Sequence, residues 1–198
     1  MSGRFGIIGC GYVGCAVAGH LRRSGFEVVG TTTSPSRLKE LCDVVDHPRI
    51  YRAGDSMADP SFLDALDGVL IAMAPTTTTF EENQYEQVYG QSVPALVEAL
   101  RQRQGRRPLH VSYLSSAGVY GDQSGAICNE LTPPDCSNAT NALLASAEAA
   151  VLDLNDASTQ ACVLRLGGIY GPGKDIPSYI RSAAGQSVRK NGNHINAW

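Results

Sequence analysis

The segment GIIGCGYVG, residues 6–14, carries three glycines, Gly9, Gly11 and Gly14, in the spacing G-x-G-x-x-G. An apolar run precedes the first of them and a helical pattern follows the second. In this setting the first glycine permits a tight turn, the second lets the backbone approach a pyrophosphate, and the third lets helix and strand pack closely. The segment predicts a dinucleotide-binding turn between a first strand and a first helix. The alternative is a purely structural glycine turn.

Beyond this turn, short apolar runs rich in β-branched residues alternate with helical patterns, which is typical of a parallel sheet covered by helices on both faces. The fold class predicted is therefore α/β, a doubly wound parallel sheet in three layers, α/β/α, of the NAD(P)-binding Rossmann type. Pro94 is expected to kink the helical segment at about 80–104 or to divide it in two. Six strands are predicted, at RFGIIG, FEVVGTT, IYRAG, GVLIAMA, PLHVSYLSS and ACVLRLGGIYG. Helical segments are predicted at GYVGCAVAGHLRRSG, at about 36–41, at DPSFLDAL, at about 80–104 and at ATNALLASAEAAVLDL.

The end of the second predicted strand bears on the choice of dinucleotide, because NAD-specific sites usually place an Asp or Glu there. This chain instead reads GTTTSPSR, without a negative charge. Thr31, Thr32 and Thr33 would not repel a 2′-phosphate, and Arg37 could pair with one. NADP is therefore favoured over NAD. The alternative is that Arg37 is simply an exposed helix residue.

Composition excludes several function classes. The 198 residues are 43% hydrophobic and carry a net charge of −3, which fits one domain over residues 1–198 and offers no basic face for nucleic acid. The six cysteines form no C-x-x-C pair, so reduced thiols and no metal site are expected. The N-terminus enters a strand without a signal pattern, and no apolar run approaches about 18 residues. A cytoplasmic protein without membrane insertion is expected.

Two further motifs, LSSAGVYGD at residues 114–122 and VLRLGGIYGPG at residues 163–173, follow the glycine turn. Together the three resemble the extended short-chain dehydrogenase/reductase superfamily, in particular the atypical branch of its NAD-dependent epimerase/dehydratase group. The resemblance covers nearly the whole chain in the right order. It implies an oxidoreductase or epimerase that acts on a nucleotide sugar or a related carbonyl or alcohol.

Members of that superfamily use a Ser or Thr after the fifth strand to polarise the substrate oxygen, and here Ser116 matches, with Ser115 beside it. The alternative is that both serines merely satisfy a loop backbone. The segment AMAP after the fourth strand would line the nicotinamide side of the cleft. The cofactor-binding residues expected are Gly9, Gly11, Tyr12, Val13, Gly14, Thr31, Thr32, Thr33, Arg37, Ala72, Met73, Ala74 and Ser115.

The superfamily's usual acid/base pair, a Tyr followed four residues later by a Lys that lowers its pKa, has no match. Alignment on Glu148 puts Thr140 at the tyrosine position and Leu144 at the lysine position. Threonine is far too weak an acid to replace an activated phenol, and leucine supplies no cation. Tyr120 is the nearest phenol in sequence and a catalytic candidate beside Ser116. The alternative is that Tyr120 only packs against its loop.

Two functions remain open on these grounds. The first is an NADP-dependent reductase or epimerase that works by an altered mechanism. The second is a non-catalytic domain that holds NADP as a sensor or scaffold. A third function is a domain that binds no dinucleotide and only mediates association. It would predict bulky or charged residues in the glycine turn, and the turn contains none.

The C-terminal segment, about 174–198, is expected to be the start of a truncated substrate-binding part, because relatives usually continue well beyond this point. Trp198 is then either an unprotected apolar side chain or part of a contact with another subunit, as in a homodimer.

Overall fold

Six parallel strands form one sheet in a computed structural model that describes residues 3–75, 82–104, 107–182 and 184–185. The strands are β1 (Arg4–Ile8), β2 (Glu27–Thr32), β3 (His47–Ile50), β4 (Gly68–Ile71), β5 (Leu109–Ser116) and β6 (Thr159–Leu166). Their order across the sheet is β3-β2-β1-β4-β5-β6. The predicted doubly wound parallel sheet is confirmed. The strand order reverses between β1 and β4, where ligands of such sheets bind at the carboxyl ends of the strands.

The helices cover both faces of this sheet. They are α1 (Tyr12–Arg23), α2 (Leu38–Leu41), α3 (Glu82–Tyr85), α4 (Val93–Arg101), α5 (Ala139–Leu152) and α6 (Ile176–Ser182). Shorter 3-10 turns lie at Pro35–Arg37, Ser61–Ala65 and Ala117–Tyr120. Within the described ranges, no helix has the length and apolar content needed to cross a membrane.

Two apolar clusters, one on each face of the sheet, form the core. Ile8 and Val29 belong to the larger cluster, which includes residues of α4 and α5. Their neighbours Ile7 and Val28 belong to the smaller cluster, with residues of α1 and α2. Adjacent strand residues point to opposite faces, so β1 and β2 supply both clusters. This arrangement confirms the three layers.

The third strand differs from its predicted position. It was expected at residues 50–54, and the structure has it at His47–Ile50. The Asp46 carboxylate accepts a hydrogen bond from the Val28 N–H at 2.9 Å, and the Asp46 N–H donates to the Val28 carbonyl at 3.0 Å. These bonds start the pairing with β2 earlier in the chain. Pro48 is tolerated because β3 lies at the sheet edge.

Pro94 does not divide the long helical segment. The described chain stays helical from residue 82 to residue 101, with a π-helical stretch at Glu86–Ser92 directly before α4. Proline has no N–H and its ring crowds the carbonyl four residues earlier. The wider π turn gives that carbonyl room. The predicted start of this helix at Phe80 lies outside the described residues, as does Trp198.

Candidate functional site

The glycine turn connects β1 to α1, and its three glycines meet different surroundings. Gly9 has φ +96°, and a Cβ there would lie 2.9 Å from the Ala72 carbonyl oxygen. A Cβ at Gly14 would lie 2.4 Å from the Gly9 carbonyl oxygen. Packing therefore requires glycine at both positions. At Gly11, by contrast, a Cβ would meet no atom within 4 Å, so the backbone faces open space.

Thr31 of β2 holds this turn in place. Its backbone carbonyl accepts from the Cys10 N–H at 2.8 Å, and its Oγ1 accepts from the Gly9 N–H at 3.0 Å. Thr32 is buried as well, and its Oγ1 accepts from the Ser34 N–H at 3.2 Å. Of the three threonines singled out in the sequence, Thr33 alone is exposed. The other two hydroxyls have local structural partners.

Arg37 lies at the end of the 3-10 turn that follows β2. Burial raises the pKa of the Cys10 thiol to about 12, and the Arg37 charge opposes that rise. The Arg37 side chain is 42% exposed, and its Nε lies 3.7 Å from a carboxylate oxygen of Glu40.

The N-terminus of α1 fits an anion. Gly11 is the N-cap residue with no side-chain cap, and the first turn, which includes Tyr12 and Val13, contains no acidic residue. The first backbone N–H groups of a helix have no partner within the helix, and the helix dipole adds positive potential there. Together with the open space at Gly11, this end of α1 has the properties that the diphosphate of a dinucleotide requires.

Ala72, Met73 and Ala74 follow β4 and border the glycine turn. The Ala72 N–H donates to the Ile8 carbonyl at 2.8 Å, which continues the pairing with β1 by one residue. Met73 packs partly buried against the larger core cluster, and Ala74 is exposed. The ends of β1, β2 and β4 thus bring these predicted residues to one edge of the sheet.

Ser115 and Ser116 end β5 and differ in their surroundings. Ser115 is 7% exposed, and its hydroxyl donates to Glu148 Oε1 at 2.6 Å. Ser116 is exposed, and its Oγ accepts from the Gly118 N–H at 3.0 Å. Ser116 therefore does bond to the loop backbone, but only as an acceptor. Among the described residues its own proton has no acceptor, so the hydroxyl can donate a hydrogen bond.

The carboxylate that accepts from Ser115 belongs to an ion pair between Glu148 and Arg165. Glu148 of α5 is 4% exposed, and Arg165 of β6 donates to it from Nη2 at 2.7 Å and from Nε at 3.1 Å to each carboxylate oxygen. Arg165 Nη1 also donates to the Thr132 carbonyl at 3.3 Å. The bond to Glu148 raises the pKa of Arg165, which favours the charged guanidinium. This network was not predicted, although Glu148 is the sole charged residue of the alanine-rich α5.

Tyr120 packs against its loop, as the non-catalytic alternative expects. Its hydroxyl donates to the Asn129 carbonyl at 2.8 Å. The Arg165 guanidinium lies 4.8 Å from the centroid of its ring. The phenol is thus engaged on both its ring and its hydroxyl.

The helix α5 includes both Thr140 and Leu144, the positions aligned with the family's tyrosine and lysine. Asn138 caps it, with its side-chain oxygen accepting from the Asn141 N–H at 2.9 Å. Thr140 lies half-buried in the first turn. Leu144 is 5% exposed and belongs to the larger core cluster together with Val119. The position aligned with the family's lysine therefore faces the core. In the part of the chain that the structure describes, no cluster of His, Cys, Asp or Glu side chains could hold a metal ion.

Comparisons with known proteins agree with this geometry. Residues 7–196 match the model of the NAD dependent epimerase/dehydratase family. YeeZ of Escherichia coli strain K12 is 28% identical over 170 residues, which cover 85% of this chain and 59% of YeeZ. The chain thus spans about three-fifths of the length of that relative.

Solved structures give the same fold. A conserved protein of unknown function from Silicibacter pomeroyi is 25% identical, with a TM-score of 0.64 over 95% of this chain and 59% of the other. UDP-glucuronic acid 4-epimerase from Bacillus cereus, in complex with UDP-glucuronic acid and NAD, is 19% identical. Its TM-score is 0.65 over 85% of this chain and 57% of its own, a likeness of fold alone. With the family match over nearly its whole length, the chain belongs to the NAD-dependent epimerase/dehydratase family.

Proposed function

We propose that this protein binds NADP in preference to NAD at the carboxyl ends of β1, β2 and β4. The observation that carries the proposal is the open backbone at Gly11, directly in front of the uncapped N-terminus of α1. A diphosphate there would accept hydrogen bonds from the first N–H groups of the helix. The match over residues 7–196 to an NAD dependent family supports a nicotinamide dinucleotide as the ligand.

The preference for NADP rests on the end of β2. Thr33 is exposed there, and Arg37 is partly exposed and only loosely paired with Glu40, at 3.7 Å. A 2′-phosphate carries more charge than the ribose hydroxyl it replaces, and its oxygens match the planar donors of a guanidinium. Arg37 would exchange Glu40 for that phosphate.

We further propose a nucleotide sugar, or a related carbonyl or alcohol, as the substrate. A bound nicotinamide dinucleotide supplies hydride transfer. Ser116 would donate its free proton in a hydrogen bond to the reacting oxygen. The fold relative UDP-glucuronic acid 4-epimerase holds UDP-glucuronic acid and NAD, which supports this substrate class.

A second candidate is a non-catalytic NADP sensor or scaffold. The observation that favours it is that the two candidate positions for proton transfer, residues 144 and 120, are occupied by side chains already engaged in the structure. Leu144 is buried in the core, and the Tyr120 hydroxyl is bonded to the Asn129 carbonyl. Catalysis would need a proton route that avoids both residues.

Titration of the purified protein with NADPH and NADH, followed by nicotinamide fluorescence, tests the proposal. Gly11→Asp is the control. The N-cap φ of −83° suits an aspartate and the fold should survive, but its carboxylate would oppose the diphosphate. Saturable binding, tighter for NADPH and lost in the variant, supports the site. Arg37→Ala should then lower the affinity for NADPH and leave the affinity for NADH unchanged. Failure of the folded wild type to bind either dinucleotide contradicts both candidate functions.

Turnover distinguishes the two candidates. UDP-glucose and UDP-glucuronic acid would be incubated with wild type and with Ser116→Ala at saturating NADP. Conversion by wild type that falls in the variant supports an enzyme. Tight dinucleotide binding without conversion of these or related sugars favours the sensor or scaffold.

A further inference from the structure

The segment after β6 folds back onto the start of α1. The Tyr12 hydroxyl donates to the Pro172 carbonyl at 3.0 Å, although the two residues are 160 positions apart. Gly171 and Lys174 exchange backbone hydrogen bonds of 2.9 and 3.0 Å, which closes the segment into a tight turn. We call residues 171–174 the C-terminal turn.

The approach between the C-terminal turn and Tyr12 requires glycine. A Cβ at Gly171 would lie 2.6 Å from the Tyr12 hydroxyl oxygen, and its φ of +152° is one that residues with a side chain rarely adopt. A side chain at this position would displace either the Tyr12 hydroxyl or the turn. The observed contact therefore depends on glycine at residue 171.

This contact brings a cation to the glycine turn. The Lys174 ammonium lies 4.8 Å from the centroid of the Tyr12 ring, a cation–π distance. The neighbouring Asp175 carboxylate is directed elsewhere: it accepts from the Ser178 hydroxyl at 2.7 Å and from the Ser178 N–H at 2.9 Å, and lies 3.7 Å from Arg181 Nη2. No salt bridge to Lys174 is formed by any residue that the structure describes.

We propose that Lys174 binds the diphosphate of the dinucleotide and that Tyr12 positions it. This inference rests on the proposed function, because it concerns the same cleft. Tyr12 is the first residue of α1, where the helix directs its free N–H groups. A flexible lysine supported on that ring would add a full charge to the partial charge of the helix end. The diphosphate would then be held from two sides, by the glycine turn and by the C-terminal turn.

The test is the affinity for NADH and NADPH, measured by nicotinamide fluorescence at low and high salt. Lys174→Gln removes the charge, and Lys174→Arg retains it. Arg23→Gln is the matched control, since it removes one positive charge at the far end of the same helix, roughly 16 Å along its axis. Tyr12→Phe removes the bond to Pro172 and keeps the ring.

The expected results follow from the proposed contact of Lys174 with the diphosphate. Lys174→Gln should lower the affinity for NADH and for NADPH about tenfold, because a charge-assisted hydrogen bond is lost. The factor should be the same for both, since both dinucleotides contain the diphosphate. The wild type should lose affinity with salt more steeply than this variant. Lys174→Arg should stay near wild type, and Tyr12→Phe should weaken both ligands by a smaller factor.

Two results would overturn the inference while the proposed function stands. In the first, the wild type binds the dinucleotides, and Lys174→Gln lowers their affinity no more than the control Arg23→Gln does. The other is a loss confined to NADPH, which would assign Lys174 to the 2′-phosphate. If the folded wild type binds neither dinucleotide, the proposed function and this inference both fail.

Discussion

Glu148 of α5 and Arg165 of β6 form a buried ion pair, with 2.7 Å between Oε2 and Nη2. Ser115 donates to the same carboxylate, and Arg165 also reaches the Thr132 carbonyl. The pair therefore joins α5, the ends of β5 and β6, and the loop after β5. Ser116, the next residue along β5, is exposed to solvent beside this fixed group of backbone segments.

Breaking that pair should strongly destabilise the fold. Glu148→Leu leaves the Arg165 guanidinium, whose side chain is 19% exposed, without its main partner. Removing one member of a buried ion pair typically costs about 3–5 kcal/mol of unfolding free energy. Urea unfolding followed by circular dichroism measures the loss. The double variant Glu148→Leu/Arg165→Met should recover part of it, and equal, additive losses would contradict the coupling.

Two glycine variants should separate folding from cofactor binding. Gly14→Ala forces a methyl group toward the Gly9 carbonyl oxygen, 2.4 Å away, and should cost about 1–3 kcal/mol of stability. Gly11→Ala meets no protein atom and should fold normally, yet it occupies the space proposed for the diphosphate. Its dinucleotide affinity should fall by about tenfold, or 1.4 kcal/mol. Thermal unfolding and fluorescence titration measure the two effects. Unchanged affinity in Gly11→Ala would remove the diphosphate from this position.

The missing lysine should not be restorable by a single change. Leu144→Lys would place an ammonium at a position that is 5% exposed, which costs several kcal/mol. Ser146→Lys, at an exposed position of the same helix, should leave stability within about 0.5 kcal/mol of wild type. Burial lowers the pKa of the introduced lysine in the folded state, so its destabilisation should be larger at pH 7 than near pH 10. Urea unfolding at both pH values tests this, and equal stability of the two variants would mean that residue 144 reaches solvent.

The thiols should differ in reactivity. Cys42, Cys136 and Cys162 are exposed, whereas burial raises the pKa of the Cys10 thiol to about 12. Cys10 therefore stays protonated at pH 8, and a protonated thiol is not the nucleophile. Ellman's reagent at pH 8 should label the three exposed thiols quickly and Cys10 only after denaturation. Peptide mass spectrometry identifies the labelled sites, and rapid modification of Cys10 in the folded protein would contradict its burial.

The order of the elements could be predicted because the periodicities of strands and helices are local. The position of β3 could not, since the bonds between Asp46 and Val28 set its register across 18 residues of sequence. The effect of Pro94 was only partly predictable. Proline disrupts an α-helical bond wherever it occurs, but a preceding π turn depends on how the helix packs.

At the candidate site, the glycine spacing predicted which backbone positions are crowded and which is open. The roles of Ser115 and Thr31 were harder to predict. Each lies beside a residue of the same type. The strand pleat turns Ser115 inward and leaves Ser116 exposed, whereas Thr31 and Thr32 are both buried and differ only in their hydrogen-bond partners. The contact of Tyr12 with Pro172 and Lys174 left no pattern in the sequence, because its partners lie at opposite ends of the chain.

The bond between Tyr12 and Pro172 also bears on how the protein is made. A ribosome synthesises the glycine turn, β2 and β4 long before residues 171–174, so the nascent chain has one wall of the cleft and lacks the other. Domains fold as units once their sequence is available, and contacts between distant residues form slowly. Under the proposal that both turns hold the diphosphate, full dinucleotide affinity would arise only after β6 has joined the sheet, and the cofactor would stabilise the finished fold rather than guide the folding of its first half.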